Sequence, residues 1–144
     1  MNLFGMLEVS GSALTAERQR AEVVTSNMAN AETTRTPEGG PYQRQLVVFR
    51  ARRAQQFPAL LAGFGSTAAR GVQVDQVLPD TKAPIKRYQP GHPDADAQGF
   101  VAYPAIDPVE ETADLLGAVR AYELNASAVQ ATKTMIQQSL DLLR

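Results

Sequence analysis

The sequence predicts a mainly α protein with a small β lobe. Long N- and C-terminal helices pair as a coiled coil, and a proline- and glycine-rich, β-containing segment is inserted between them. Three observations predict this. Apolar residues recur at alternating spacings of four and three at both ends of the chain. All nine prolines lie between Pro37 and Pro108. A strong helix start stands at Asp107. The domain boundaries that follow are 1–32 with 107–144 for the paired helices, and 33–106 for the inserted lobe.

Residues 3 to about 30 read as the first helix. Leu3, Leu7, Ser10, Leu14, Glu17, Ala21, Val24 and Met28 form its four-three seam. Val9, Ala13, Ala16 and Val23 lie on the opposite side, interrupted by Arg20 and Asn27. Gly5 and Gly11 each cost about 1 kcal/mol relative to alanine in a helix interior. The helix is therefore marginal alone, and its residues are expected to be poorly ordered in the isolated chain.

The centre holds seven of the ten glycines and seven of the nine aromatics. Gln43–Arg50 reads as a strand, Gly71–Leu78 as a second with partly alternating valines, and Phe100–Tyr103 as a short third. Asp94, Asp96 and Gly99 signal turns, and Pro37, Gly39, Gly40 and Pro41 fix a tight backbone route. Residues 52–70 carry no assignable pattern.

The last element starts at Asp107-Pro108-Val109-Glu110: an N-cap, a proline at the first helical position, and a carboxylate placed to reach back to the cap. No proline follows, so one helix runs to Arg144. At 1.5 Å per residue it is roughly 54 Å long, against a diameter of about 37 Å for a compact domain of this chain length. Its main seam is Leu115, Val119, Tyr122, Ala126, Val129, Lys133, Ile136, Leu140 and Leu143, and the seam of the first helix is its natural partner. A second series, Gly117, Ala121, Leu124, Ala128, Ala131, Met135, Gln138 and Leu142, runs on the opposite face. The helix thus offers packing surfaces on two sides, one for its own chain and one for another. Lys133 sits in the main seam as a register-setting residue or snorkels to its edge.

A formal charge of −1 gives no general attraction to nucleic acid or anionic lipid. The absence of cysteine excludes disulfides and thiolate chemistry. No apolar run reaches bilayer length, and the first residues have no signal-peptide pattern.

Ser26-Asn27-Met28-Ala29-Asn30-Ala31-Glu32-Thr33 resembles the N-terminal signature of bacterial flagellar rod, hook and related axial proteins, which carry Asn-x-x-Asn-x-x-Thr at the end of the first helix. Thr34–Gln45, with Pro37, Gly39, Gly40 and Tyr42, resembles the proximal rod members of that group. So do Tyr88–Val101, with Pro90, Gly91, His92, Asp94, Asp96 and Gly99, and Arg120–Asn125 with Lys133 and Met135. The resemblance departs at residues 51–70, at Ala105 and at Leu124. It implies a structural subunit of the basal-body rod that assembles helically into a periplasm-crossing, torque-transmitting shaft around the export channel. The implied partners are other copies, proximal and distal rod proteins, the ring-to-rod adaptor and the flagellar type III export apparatus. The chain would leave the cytoplasm without a cleaved signal, bind neither nucleic acid nor cofactor, and insert in no membrane.

Under this reading the interface residues of the first helix are Leu7, Leu14, Ala21, Val24, Asn27, Met28, Asn30 and Thr33. Those of the last are Leu115, Val119, Tyr122, Leu124, Ala128, Val129, Ala131, Met135, Ile136 and Leu140. Asn27, Asn30 and Thr33 also suit a helix end, with their side chains holding the turn into the lobe. The competing reading is a metal-dependent hydrolase using His92, Asp94 and Asp96. A single His, no Cys, and Pro93 between the candidates favour a turn stabilised by Asp side chains instead. Arg50, Arg52 and Arg53 read as a solvated basic run rather than a nucleic-acid patch.

Overall fold

A computed structural model of the protein describes residues 3–53 and 69–142. The expectations for residues 54–68, and those for Leu143 and Arg144, lie outside the described residues. In chain order the elements are α1 (Leu3–Ala29), β1 (Gln45–Arg53), β2 (Ala69–Pro79), β3 (Ile85–Tyr88), β4 (Phe100–Tyr103) and α2 (Pro108–Asp141). With 27 and 34 residues, the helices are about 40 and 51 Å long.

The α2 start follows its sequence. Asp107 Oδ1 accepts the Val109 N–H at 2.9 Å, and the Asp107 carbonyl accepts the Glu111 N–H at 3.0 Å. Pro108, which has no N–H to lose, takes the first helical position. Glu110, expected to reach back to the cap, has its carboxylate 3.6 Å from Arg44 Nη1.

β1 pairs with β2 in one two-stranded sheet. The Asp80 N–H donates to the Arg44 carbonyl at 2.7 Å, and Arg50 Nη2 lies 2.7 Å from Asp75 Oδ2, so the two strands run antiparallel. Arg50 is thus paired across the hairpin while its side chain stays 65% exposed, as a solvated basic run requires. A second sheet pairs β3 and β4 antiparallel, with Ile85 opposite Tyr103 and Tyr88 opposite Phe100. β3 lacked a sequence signal because it is four residues long, exposed throughout and free of apolar alternation. It is held by side-chain contacts across the pair. Tyr88 meets Phe100 edge-to-face at 5.4 Å, and the Arg87 guanidinium lies 4.7 Å over the Tyr103 ring.

The chain forms two compact units, and each takes a portion of α1, α2 and the long hairpin. One comprises Met1–Gln19, Phe49–Asp75 and Ala118–Arg144. Among its described residues the buried positions are small or hydroxylated: Ala16, Ala118 and Thr132. Here β2 comes down onto α1 at Gly71, whose φ is +114° and where an added Cβ would overlap Ser12 Oγ. The same Ser12 hydroxyl accepts the Val72 N–H at 3.0 Å and donates to the Val9 carbonyl at 2.7 Å. Only a glycine meets both the close approach and the left-handed backbone. The side of α1 opposite its four-three seam is therefore used in part by the chain's own hairpin.

The other unit comprises Arg20–Val48 and Gln76–Gly117, with an apolar core of Val24, Val101, Tyr103 and Ile106. Within it α1 and α2 are tied at Arg20–Asp114 and at Asn27–Glu111. The later α1 residue meets the earlier α2 residue, so the helices run in opposite directions there. Among the described residues no helix is long and apolar enough to cross a membrane.

Candidate functional site

The end of α1 is organised by one side chain. Asn27 is 1% exposed and uses all of its amide. Nδ2 donates to the Gln45 carbonyl at 2.9 Å and to Glu111 Oε2 at 3.0 Å. Oδ1 accepts the Gln45 N–H at 2.9 Å and the Tyr42 hydroxyl at 3.1 Å. An asparagine amide has two donors and two acceptor sites, so none is left over. Glu111, 0% exposed, receives Arg44 Nε on its other oxygen at 2.5 Å. Arg44 Nη1 lies 3.6 Å from Glu110 and 3.7 Å from Asp80. Burial pulls the Arg44 pKa down, but the Glu111 hydrogen bond and the charges of Glu111, Glu110 and Asp80 outweigh it and raise the pKa above the ordinary value. The guanidinium stays charged. The end of α1, the start of β1, the end of β2 and the start of α2 meet in this one polar knot.

Beside it, the rest of the Asn-x-x-Asn-x-x-Thr arrangement shapes the turn into the lobe. Asn30 Nδ2 donates to the Ser26 carbonyl at 2.9 Å, and the Thr33 hydroxyl donates to Asn30 Oδ1 at 3.1 Å. The Tyr42 N–H closes the loop onto the Thr33 carbonyl at 3.0 Å. Pro37, Gly39 and Gly40 are exposed in that loop, where the Thr36 N–H donates to the Gly40 carbonyl at 2.9 Å.

The second loop, between β3 and β4, contains Pro90, Gly91, His92, Asp94, Asp96 and Gly99. Asp96 Oδ1 accepts the Gln98 and Phe100 N–H groups at 2.9 and 2.8 Å. Asp94 Oδ2 accepts the Thr34 hydroxyl at 2.8 Å, and its other oxygen lies 3.6 Å from Arg35. His92 Nδ1 accepts the Asp94 N–H at 3.1 Å. Gly99, with φ +82°, packs under Tyr88 and Pro90. His92 and Asp96 hold backbone, Asp94 holds the Thr34 and Arg35 side chains, and each carboxylate thus has a structural partner. His92→Asn, whose amide oxygen can accept the same N–H, is expected to change stability by less than about 1 kcal/mol. It should leave swimming intact and the metal content of the purified protein unchanged by elemental analysis. A stoichiometric metal lost with that substitution would restore the hydrolase reading.

The surface of α2 differs from its sequence reading. Glu111, Ala118 and Thr132 are buried and Asn125 is half-buried, all at heptad spacing, with half-buried Ala121 and Ala128 between them. The Asn125 and Thr132 side chains bond back to the Ala121 and Ala128 carbonyls, each at 2.8 Å, which satisfies their polar atoms on the covered side. The inward line of α2 is thus made of small and self-satisfied polar residues. The expected pairing of the Leu115–Leu143 seam within the chain is corrected accordingly. Of that seam, Leu115, Val129 and Ile136 are half-buried, while Val119, Tyr122 (43% exposed), Lys133 and Leu140 (61%) are exposed. Lys133, on the open side, does not sit in a buried seam.

The large apolar residues form two flanks. Leu124 (72% exposed), Met135 and Leu142 lie roughly 70° to one side of the inward line, and Val119, Tyr122 and Leu140 roughly 80–140° to the other. Ala131 is exposed as well. On α1, Leu7, Leu14, Ala21 and Met28 are half-buried and Val24 and Asn27 are buried, while Asn30 and Thr33, in the turn after it, are half-buried. Apolar exposure on two flanks of one long helix is what a soluble monomer rarely maintains and what an assembly covers.

Sequence reasoning placed Asn27, Asn30, Thr33 and the two loops, but missed Arg44, Asp80 and Glu111. Their spacing carries no motif. The one available signal was Glu111 itself, a second acid beside a capping glutamate.

Residues 7–35 match the family model described as flagella basal body rod protein, and residues 97–142 match that described as flagellar basal body rod FlgEFG protein C-terminal. Curated relatives named flagellar basal-body rod protein FlgC are similar over nearly their whole length. The one from Bacillus subtilis is 39% identical over 99% of each chain. The one from Borreliella burgdorferi is 37% identical over 100% of this chain and 99% of its own. The one from Escherichia coli O157:H7 is 37% identical over 99% of this chain and 98% of its own.

Proposed function

Because the chain belongs to the FlgC family of flagellar basal-body rod proteins and is a structural subunit of the rod, we propose that it assembles helically with other copies and with proximal and distal rod proteins into a periplasm-crossing shaft that transmits torque and encloses the export channel. Residues 1–32 and 107–144 form its assembly domain, and residues 33–106 its inserted lobe. It joins the ring-to-rod adaptor at one end, arrives through the flagellar type III apparatus without a cleaved signal, and carries no enzymatic activity.

The observation that supports this reading is the pair of exposed apolar flanks on α2. Neighbouring subunits supply the missing burial, so ordering of the marginal α1 end is completed on docking. The knot around Asn27 keeps the other end of α1 ordered beforehand. Deleting this chain is expected to leave cells non-motile, with basal bodies whose rings form but whose rod is absent by electron microscopy. Re-expression should restore both. Complete rods in the deletion strain would overturn the proposal.

A further inference from the structure

We propose that the cleft between α1 and the β1–β2 hairpin receives Glu123 of a second copy of this chain, whose carboxylate pairs with Arg52. The proposal rests on the rod-subunit reading above and names one contact of that assembly. The cleft has a volume of about 270 Å³, and its lining residues belong to one compact unit. Ala16 and Val72 line its apolar part, and Gln19, Gln73 and Arg52 its polar part. The hydrogen bond from the Val72 N–H to Ser12 Oγ holds α1 and β2 together in its wall. Arg52 is exposed and carries the only formal charge among the described lining residues. Among the described residues it has no ion-pair partner, whereas Arg50, two residues earlier in β1, holds Asp75. A cation flanked by two side-chain amides offers the donors that a carboxylate needs.

The same unit carries the matching anion. Glu123 is exposed on α2, opposite the inward line, and stands between Tyr122 and Leu124, one from each apolar flank. Among the described residues it too has no ion-pair partner. A subunit seated on either flank takes water from this carboxylate, and a covered carboxylate needs a cation. The Arg52 cleft supplies one, in a concavity that suits a side chain projecting from a helix. Cleft and glutamate are different surfaces of one chain, so the contact runs head to tail. Each copy receives one neighbour and is received by another. Such an interface closes into a ring or continues as a helical filament, which is the assembly a rod requires.

The test is a charge exchange in the full chain, expressed in a strain that lacks the parent copy. Arg52→Glu and Glu123→Arg, each alone, set like charges against each other at every contact. Either should lower the number of rods per cell, counted by electron microscopy, roughly tenfold or more. The two together restore the pair with its sign reversed, and should return rods and swimming to near the parent level. Circular dichroism of each purified variant should match the parent, because both positions are exposed. Parent numbers of rods in either single variant overturn the contact and leave the rod reading, which the deletion strain tests, in place. Failure of the exchange to rescue overturns the contact as well. So does a loss of helical signal in a single variant, since that residue would then serve the chain's own fold.

Discussion

Replacing Glu111 with alanine is expected to lower the stability of the folded chain by about 3–5 kcal/mol. Glu111 has no exposed surface, and it answers both the Arg44 guanidinium and the Asn27 amide. Its removal leaves a nearly buried cation whose remaining acceptors lie 3.6 and 3.7 Å away. The cation cannot escape by losing its proton, because a guanidinium stays protonated at any pH at which the protein is folded. One amide donor of Asn27 is also left unmatched, which adds to the loss. Glu110→Ala is the internal comparison. That side chain is 55% exposed, and exposed pairs contribute about 0–1 kcal/mol. Denaturant unfolding followed by circular dichroism measures both. Equal losses for the two glutamates would remove the knot from its central place in this unit.

The second large effect separates folding from assembly. Tyr122→Glu and Leu124→Glu are expected to change the stability of the isolated chain by no more than about 0.5 kcal/mol, as substitutions at exposed helix positions do. In the rod each would bury an unpaired charge, at several kcal/mol per contact, repeated at every subunit. The expected result is a soluble, exported chain and non-motile cells. Ala128, by contrast, is half-buried on the inward line, and its carbonyl accepts the Thr132 hydroxyl. A glutamate there disturbs the chain's own packing as well as any neighbour, so the flanks are the cleaner probes.

Much of the fold was legible in the sequence because its signals are local. The four-three spacing, the confinement of prolines and the Asp107-Pro108 start gave both helices nearly to the residue. The valine-rich segments gave β1 and β2, while β3, short and exposed, gave nothing to read. The face of α2 that turns inward was misjudged for a physical reason. Periodicity weights large apolar residues, whereas this helix buries Ala118, half-buries Ala121 and Ala128, and keeps Tyr122, Leu124 and Leu140 open. A helix that leaves its larger apolar residues exposed inverts the usual link between hydrophobicity and intrachain burial. Asn27 was readable as a turn-holding amide. Its partners Arg44 and Glu111, 17 and 84 residues further along the chain, were not, because only the three-dimensional path brings them together.

The central claim is that both flanks of α2 are covered by other subunits in the rod. Reactivity of single cysteines tests it most directly, since the chain contains none. Tyr122→Cys represents one flank and Leu124→Cys the other. A maleimide probe is applied to the free chain and to isolated basal bodies, with labelling read on this chain alone. Both positions should label quickly in the free protein and be protected at least tenfold in the rod. Labelling of either position in the rod at the rate of the free chain would show that flank open, and would contradict the account.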